Sequence, residues 1–318
     1  MTIVTGVTAR VPAKLNLQLG VGPPRADGYH DLVTVFHAVS LCDEVTVAPH
    51  GRDSVAVTGE GADRVPGGQG NLALRALAAL RAAVRDGAGN GAAAAGHVRV
   101  TIAKRIPVAA GLAGGSADAA GALVACNELW GAGVPVRQLC EIAATVGSDV
   151  AFALLGGTAV GRGRGERLTP VLAPATSYHW VLALAEGQLP TPEVYAALDR
   201  LRAAGAAGSA PVGMAAEPTL DGALMSALRS GDAALVGRAL SNDLQPAALS
   251  LYPSLRKTLA AGLELGALGG LVAGSGPTCA FLAASAGRAV ELAVSLSGAG
   301  VCRSVARVTG PVPGAAVI

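Results

Sequence analysis

The stretch that most limits what this chain can fold into is 107–120, PVAAGLAGGSADAA. Gly111, Gly114 and Gly115 let the backbone approach a neighbour closely, Ser116 adds a hydroxyl, and a run of small residues continues at once as a helix. A helix that starts here leaves its first N–H groups unpaired and turns its positive dipole end toward the loop. An anion, and phosphate above all, is the natural guest. The pattern is not GxxxxGK[ST], because no Lys follows the glycines, and it is not GxGxxG. The plainer alternative is a tight strand-to-helix turn in a chain with 44 Gly, where a single glycine says little.

Composition then narrows the partners. With 51% apolar and 14% charged residues, the 318-residue chain has ample material for a core and is not disordered. Its length fits two domains. A net charge of +2 and 3% aromatics argue against a nucleic-acid binder. Against 21 Arg there are three Lys, namely Lys14, Lys104 and Lys257, so each ammonium invites a specific role. Cys42, Cys126, Cys140, Cys279 and Cys302 are widely spaced and form no CxxC, which reads as reduced thiols in a cytoplasmic protein. Arg10 and Lys14 interrupt any signal-like apolar run at the N-terminus. The uncharged run 265–287 is broken by glycines and Pro277, so strand–turn–strand is expected there and no membrane span.

Apolar periodicity predicts strands at 3–11, 15–21, 33–39, 44–48, 54–58 and 97–104. Helices are predicted at 71–86, with Asn71 as N-cap, and at 115–129 and 136–146. The stretch 156–165, GGTAVGRGRG, reads as a hinge and divides the chain into domains 1–160 and 161–318. Beyond it, strands are expected at 179–185, 270–274, 278–283 and 301–308. Helices are expected at 191–201, with Thr191 as N-cap and Pro192 at N1, and at 219–229, 232–240, 253–265 and 288–297. Residues 86–96 and 203–218 read as loops. Both halves are α+β.

Four further features stand out. Lys14 and Asn16 lie two apart in a strand and so share a face, where a charge and an amide are costly unless they serve something. The turn RADGYH, 25–30, presents Tyr29 and His30 together, a pair equally readable as structural. Asp149, in GSDVAF, sits at an element boundary, where site residues often lie. The later turn GSGPT, 274–278, is either a plain hairpin turn or a second substrate-side loop.

In this order PAKLNL, the P-x-x-x-G-L-x-G-G-S-x-x-A-A loop and GSGPT resemble the three motifs of the GHMP small-molecule kinases, over nearly the whole chain. Within that superfamily PAKLNLQL, RADGYHDL, VGSDVAF, LPTPEVYAAL and SNDLQPAA are similar to the branch that phosphorylates a cytidine-diphosphate alcohol of the non-mevalonate isoprenoid pathway. The resemblance implies an α+β, two-domain fold, S5-like then ferredoxin-like, with the site in the cleft between. It implies ATP as donor and a small-molecule acceptor carrying cytidine diphosphate, with no nucleic acid or membrane. It also implies Mg²⁺, held by the ATP phosphates and Ser116.

The implied catalytic residues are Asp149 as base and Lys14 as its partner. Pro107, Ala109, Ala110, Gly111, Leu112, Ala113, Gly114, Gly115 and Ser116 would hold the triphosphate, with Lys104 and Asn71 around the nucleotide. Asn16 and Thr191 would touch the acceptor. Tyr29 and His30 would read its cytosine, with Tyr195 on the other face. The loop departs from the common family pattern at Ala117-Asp118, and Asp118 either helps hold Mg²⁺ or faces away. Homoserine- and mevalonate-type members are the alternatives, but their acceptors carry no base to stack. An inactive nucleotide-binding member is a third reading, against which Lys14 and Asp149 both stand.

Overall fold

The computed structural model describes residues 6–90, 95–205 and 217–318; the loops expected at 86–96 and 203–218, and the start of the strand expected at 3–11, lie partly outside them. Two long antiparallel strands, β1 (Val7–Pro24) and β2 (His30–Pro49), frame the first half. Each merges two strands that the sequence predicts separately. Nothing turns the chain between the pieces; register shifts at Pro12/Ala13 and Asn16/Gln18 absorb the irregularity within the strand.

β3 (Ser54–Gly59) is followed by α1 (Leu72–Arg85), where the Asn71 side chain caps the Ala73 amide as expected. β4 (Val98–Lys104) alternates buried and exposed residues along its length. Next come α2 (Gly114–Leu129), α3 (Val136–Val146) and α4 (Ser148–Leu155). α2 is buried on nearly every side, so it shows no apolar stripe. A Cβ placed on Gly121 would lie 2.7 Å from the Val45 side chain and 2.9 Å from that of Val11. The small residues of α2 thus let it lie directly on β1 and β2.

The stretch expected to be a hinge is sheet. β5 (Thr158–Gly163) pairs with β2, and β6 (Arg167–Pro170) pairs with β5, so the expected boundary at 160/161 falls inside a strand. Glycine is required here by an aromatic ring. A Cβ on Gly161 would stand 2.7 Å from the Phe36 ring, which itself stacks on Phe152 at 4.8 Å. The composition resembled a linker because the ring needs the space.

The second half runs β7 (Tyr178–Leu184), α5 (Thr191–Ala203), α6 (Gly222–Ser230), α7 (Ala233–Arg238), β8 (Ser241–Asn242), α8 (Gln245–Leu251), α9 (Leu255–Glu264), β9 (Gly269–Val272), β10 (Cys279–Ala283), α10 (Ala286–Gly298), β11 (Ser304–Gly310) and β12 (Ala316–Val317). Pro190, rather than Thr191, flanks α5. The antiparallel sheet order β11-β7-β10-β9 is that of a ferredoxin-like βαββαβ unit. β8 and β12 return to pair with β1, so the first sheet draws on both ends of the chain. Among the described residues no helix is long and apolar enough to cross a membrane.

Candidate active site

The loop between β4 and α2 is wound tightly. Ala109, Gly111 and Ala113 all have positive φ, at 52°, 78° and 58°, so left-handed residues alternate with others and the backbone curls into a concavity. Two of the three carry a Cβ, a strain that persists where surrounding structure enforces it. Between them Gly111 packs on the backbone entering the GSGPT turn, where a Cβ would lie 1.8 Å from the Ala273 carbonyl oxygen and 3.0 Å from the Gly276 amide nitrogen. The amides of Gly114, Gly115 and Ser116, in the first turn of α2, open onto a cleft of about 860 Å³.

Beneath the loop lies a buried charge cluster. Lys104 Nζ donates to Asp43 Oδ2 at 2.5 Å and to Asp118 Oδ2 at 2.9 Å, and all three side chains are buried. The other Asp43 oxygen accepts from the Arg105 and Ile106 amides at 2.6 and 2.8 Å. Burial pushes the Asp118 carboxyl up, against the pull of Lys104. Asp118 is bound to Lys104 and does not line the cleft, so it faces away from it. Lys104 lies outside it too, since its ammonium is spent on two carboxylates. Asn71 is spent capping α1 and donating to the Pro66 carbonyl. Pro107 faces a separate cavity of about 70 Å³. The Leu112 side chain is buried, and its carbonyl accepts from the Lys14 amide at 3.2 Å. The other loop residues expected to hold ATP line the cleft.

Lys14 enters from β1. Its ammonium donates to Asn16 Oδ1 at 2.6 Å and lies 3.8 Å from Asp149 Oδ2. Thr34 fixes the Asn16 amide: it accepts from Nδ2 at 2.8 Å and donates to the Gln18 carbonyl at 2.6 Å. Burial lowers the Lys14 pKa, with Asp149 opposing the shift. Asp149 sits in the first turn of α4, a helix absent from the sequence-based assignment, where the helix dipole favours a carboxylate. Gly274 also reaches this point: its Cβ would lie 3.2 Å from Lys14 Nζ and 3.4 Å from Asn16 Oδ1. The GSGPT turn is thus a buttress joining the phosphate loop to Lys14. Asn242 holds it through the Val272 and Gly274 carbonyls, and Gln245 through the Val272 amide.

The mouth of the cleft holds an aromatic platform. His30 and Tyr195 have ring centroids 5.0 Å apart, and Asp199 Oδ1 lies 3.0 Å from His30 Nε2. Burial, with Asp149 adding to it, raises the Tyr195 pKa. Tyr29 diverges from His30, as neighbours at a strand start do. Tyr29 is 55% exposed and His30 7%, and the Arg164 guanidinium lies 5.1 Å from the Tyr29 ring. Thr191 Oγ1 meets Ser275 Oγ at 3.0 Å.

Asp43, Arg164 and Asp199 escaped the sequence reading. Asp199 could have been found, because it follows Tyr195 by one helical turn and shares its face. Asp43 showed only as a carboxylate beside an alternating strand, and Arg164 was hidden in GRGRG. Among the described residues no cluster of three or more metal-ligating side chains occurs. Ser116 and Asp149 in the cleft fit a Mg²⁺ that takes most of its oxygens from phosphate and water.

A glycine-rich loop at a helix start, a lysine–carboxylate pair and a two-sheet α+β frame are the features a small-molecule kinase site requires. The description "GHMP kinases N terminal domain" matches residues 71–157, and "GHMP kinases C terminal" matches 224–302. The chain belongs to the GHMP kinases. It is 54% identical to the 4-diphosphocytidyl-2-C-methyl-D-erythritol kinase of Thermobifida fusca, covering 100% of both chains. It is 56% identical to that of Mycolicibacterium smegmatis, covering 99% of this chain and 94% of the relative. Within the superfamily, then, it belongs to the 4-diphosphocytidyl-2-C-methyl-D-erythritol kinase family. A crystal structure of 4-(cytidine 5'-diphospho)-2C-methyl-D-erythritol kinase superposes with a TM-score of 0.70 at 34% identity, covering 95% of this chain and 98% of that one. A homoserine kinase from Cytophaga hutchinsonii shares the fold, with a TM-score of 0.70 at 20% identity over 98% of this chain and 97% of that one.

Proposed function

We propose that this chain transfers the γ-phosphoryl group of ATP to the 2-hydroxyl of 4-diphosphocytidyl-2-C-methyl-D-erythritol, as a cytoplasmic enzyme of the non-mevalonate isoprenoid route. The observation that carries the reading is the position of Lys14 and Asp149, 3.8 Å apart and lining the same cleft as the phosphate loop and the aromatic platform. The first-turn amides of α2 hold the triphosphate, with Ala109 to Ser116 shaping the concavity around it. Asp149 orients the acceptor hydroxyl and accepts its proton. Lys14, held by Asn16, presents a compact ammonium to the transferring group. Ser116 would help hold a Mg²⁺ carried by the phosphates, and such an ion would supply charge neutralisation at the phosphate oxygens. His30 and Tyr195 take the cytosine, with Asp199 fixing the imidazole orientation.

This division of labour suits phosphoryl transfer, where positioning and charge stabilisation outweigh covalent chemistry. A coupled spectrophotometric kinase assay tests it, comparing the cytidine-diphosphate acceptor with homoserine and mevalonate. Turnover with the first alone supports the proposal. Turnover with a plain alcohol, or ATP binding with no turnover, overturns it.

A further inference from the structure

Most charged groups lining the cleft already have partners. Lys14 faces Asp149, and Asp199 faces His30. Arg75 and Arg164 also line it, and among the described residues neither lies within salt-bridge distance of a carboxylate. Their places differ. Arg75 follows Leu72 on α1 by one turn, and the Leu72 side chain lies 3.4 Å from where a Gly115 Cβ would stand. It therefore belongs to the triphosphate end. Arg164 stands at the other end, on the tight turn between β5 and β6.

That turn is well fixed. The Arg164 amide donates to the Glu166 carboxylate at 2.7 Å. Gly165, at φ 103°, is buried, and its Cβ would sit 3.3 Å from the Phe36 ring and 4.0 Å from Asp149 Oδ1. The backbone at Arg164 thus begins beside the catalytic carboxylate, while its guanidinium ends 5.1 Å from the Tyr29 ring centre. The side chain therefore runs along the cleft wall from beside the reacting group to Tyr29, the neighbour in sequence of the platform residue His30. In the acceptor, the group that spans this distance is the diphosphate.

We propose that Arg164 determines specificity for the acceptor by pairing with its diphosphate, using Tyr29 as a shelf that holds the guanidinium flat. The inference rests on the acceptor assignment above. A guanidinium offers a planar fork to phosphate oxygens and stacks on an aromatic face at the same time, which an ammonium does not do. The shelf keeps the fork in place before substrate arrives, so less side-chain freedom is lost on binding.

The test is competitive inhibition of the purified enzyme by two probes, CDP and cytidine, in wild type, Arg164→Gln and Arg164→Lys. Loss of one charge-assisted contact corresponds to roughly a 10- to 100-fold weakening. Arg164→Gln is expected to weaken CDP by that factor and leave cytidine within about twofold. Arg164→Lys should recover part of the loss. The acceptor KM should rise while the ATP KM stays unchanged. Equal weakening of CDP and cytidine would mean that Arg164 only braces Tyr29, and unchanged CDP binding would mean that it faces solvent; either overturns the proposal. A wild-type enzyme that binds neither probe overturns the acceptor assignment itself, a result separable from failure at Arg164.

Discussion

The two ends of the cleft, a phosphate end and a base end on the proposed function, are built differently. The phosphate end is continuous in sequence, and buried charge braces it from behind: Asp43 and Asp118 grip Lys104 under the loop, and the 273–276 turn presses on Gly111. The base end is assembled from separate pieces. His30 comes from β2, Tyr195 and Asp199 from α5, and Arg164 from the β5–β6 turn. A triphosphate binds through main-chain amides, so its site needs a fixed backbone shape. A nucleobase binds through ring faces and edge contacts, so its site needs side chains placed from several directions.

The sharpest break should come where the ends meet. Asp149→Asn keeps the side-chain shape and removes the charge, and kcat should fall by roughly 10²- to 10⁴-fold. Both KM values should hold in steady-state assays. A near-normal kcat would remove Asp149 from the chemistry.

Next in size is the brace. Asp43→Ala leaves Lys104 with Asp118 alone and strips the Arg105 and Ile106 amides of their acceptor. Breaking a buried pair in this way costs about 3–5 kcal/mol. Urea unfolding should show the loss, and any folded fraction should have a raised ATP KM with the acceptor KM little changed. An acceptor KM that rose in step would show that the two ends are not independent.

His37 belongs to neither end and serves as a control. It lies buried between the sheets, with ring contacts to Tyr178 and Trp180 and Nδ1 2.8 Å from Thr158 Oγ1. Burial lowers its pKa from 6.5 to about 4, so between those values the unfolded chain carries a proton that the folded one lacks. The contribution is therefore neutral above pH 6.5 and destabilises as pH falls toward about 4, by roughly 3 kcal/mol in all. Unfolding free energies at pH 7 and 5 should differ less in His37→Gln than in wild type. Both KM values at pH 7 should stay put.

The smallest effects belong to the base end. Tyr195→Ala and His30→Ala should each cost roughly 1–3 kcal/mol in acceptor binding, read as a raised acceptor KM with the ATP KM unchanged. A uridine analogue should be a poor acceptor, because edge groups set for cytosine would be left unpaired. A raised ATP KM instead would exchange the roles of the two ends.

This contrast also explains what could be read in advance. The tight loop and the helix start behind it were legible because they depend on glycines at fixed spacing, a pattern local in sequence. Lys14 and Asn16 were legible because strand alternation puts them on one face. Lys104 and Asn71 were expected around the nucleotide from the family resemblance alone, and in the structure two buried carboxylates and the cap of α1 occupy their polar atoms. The stretch 156–165 had the composition of a hinge because glycine marks both a free backbone and one crowded by a ring. Only the position of Phe36 separates the two cases.

The amino-acid sequence by itself determined the periodicities of most strands and helices, the glycine-rich turn before α2, and the residue types available for chemistry. These follow from local dihedral preferences and side-chain spacing, which act over a few residues. The tertiary structure decided that β8 and β12 would return to β1, that Asp43 and Asp118 would share Lys104, that Tyr29 and His30 would part, and that Arg164 would come to lie over Tyr29. Each of those depends on which distant surfaces bury one another, and burial is a property of the folded whole.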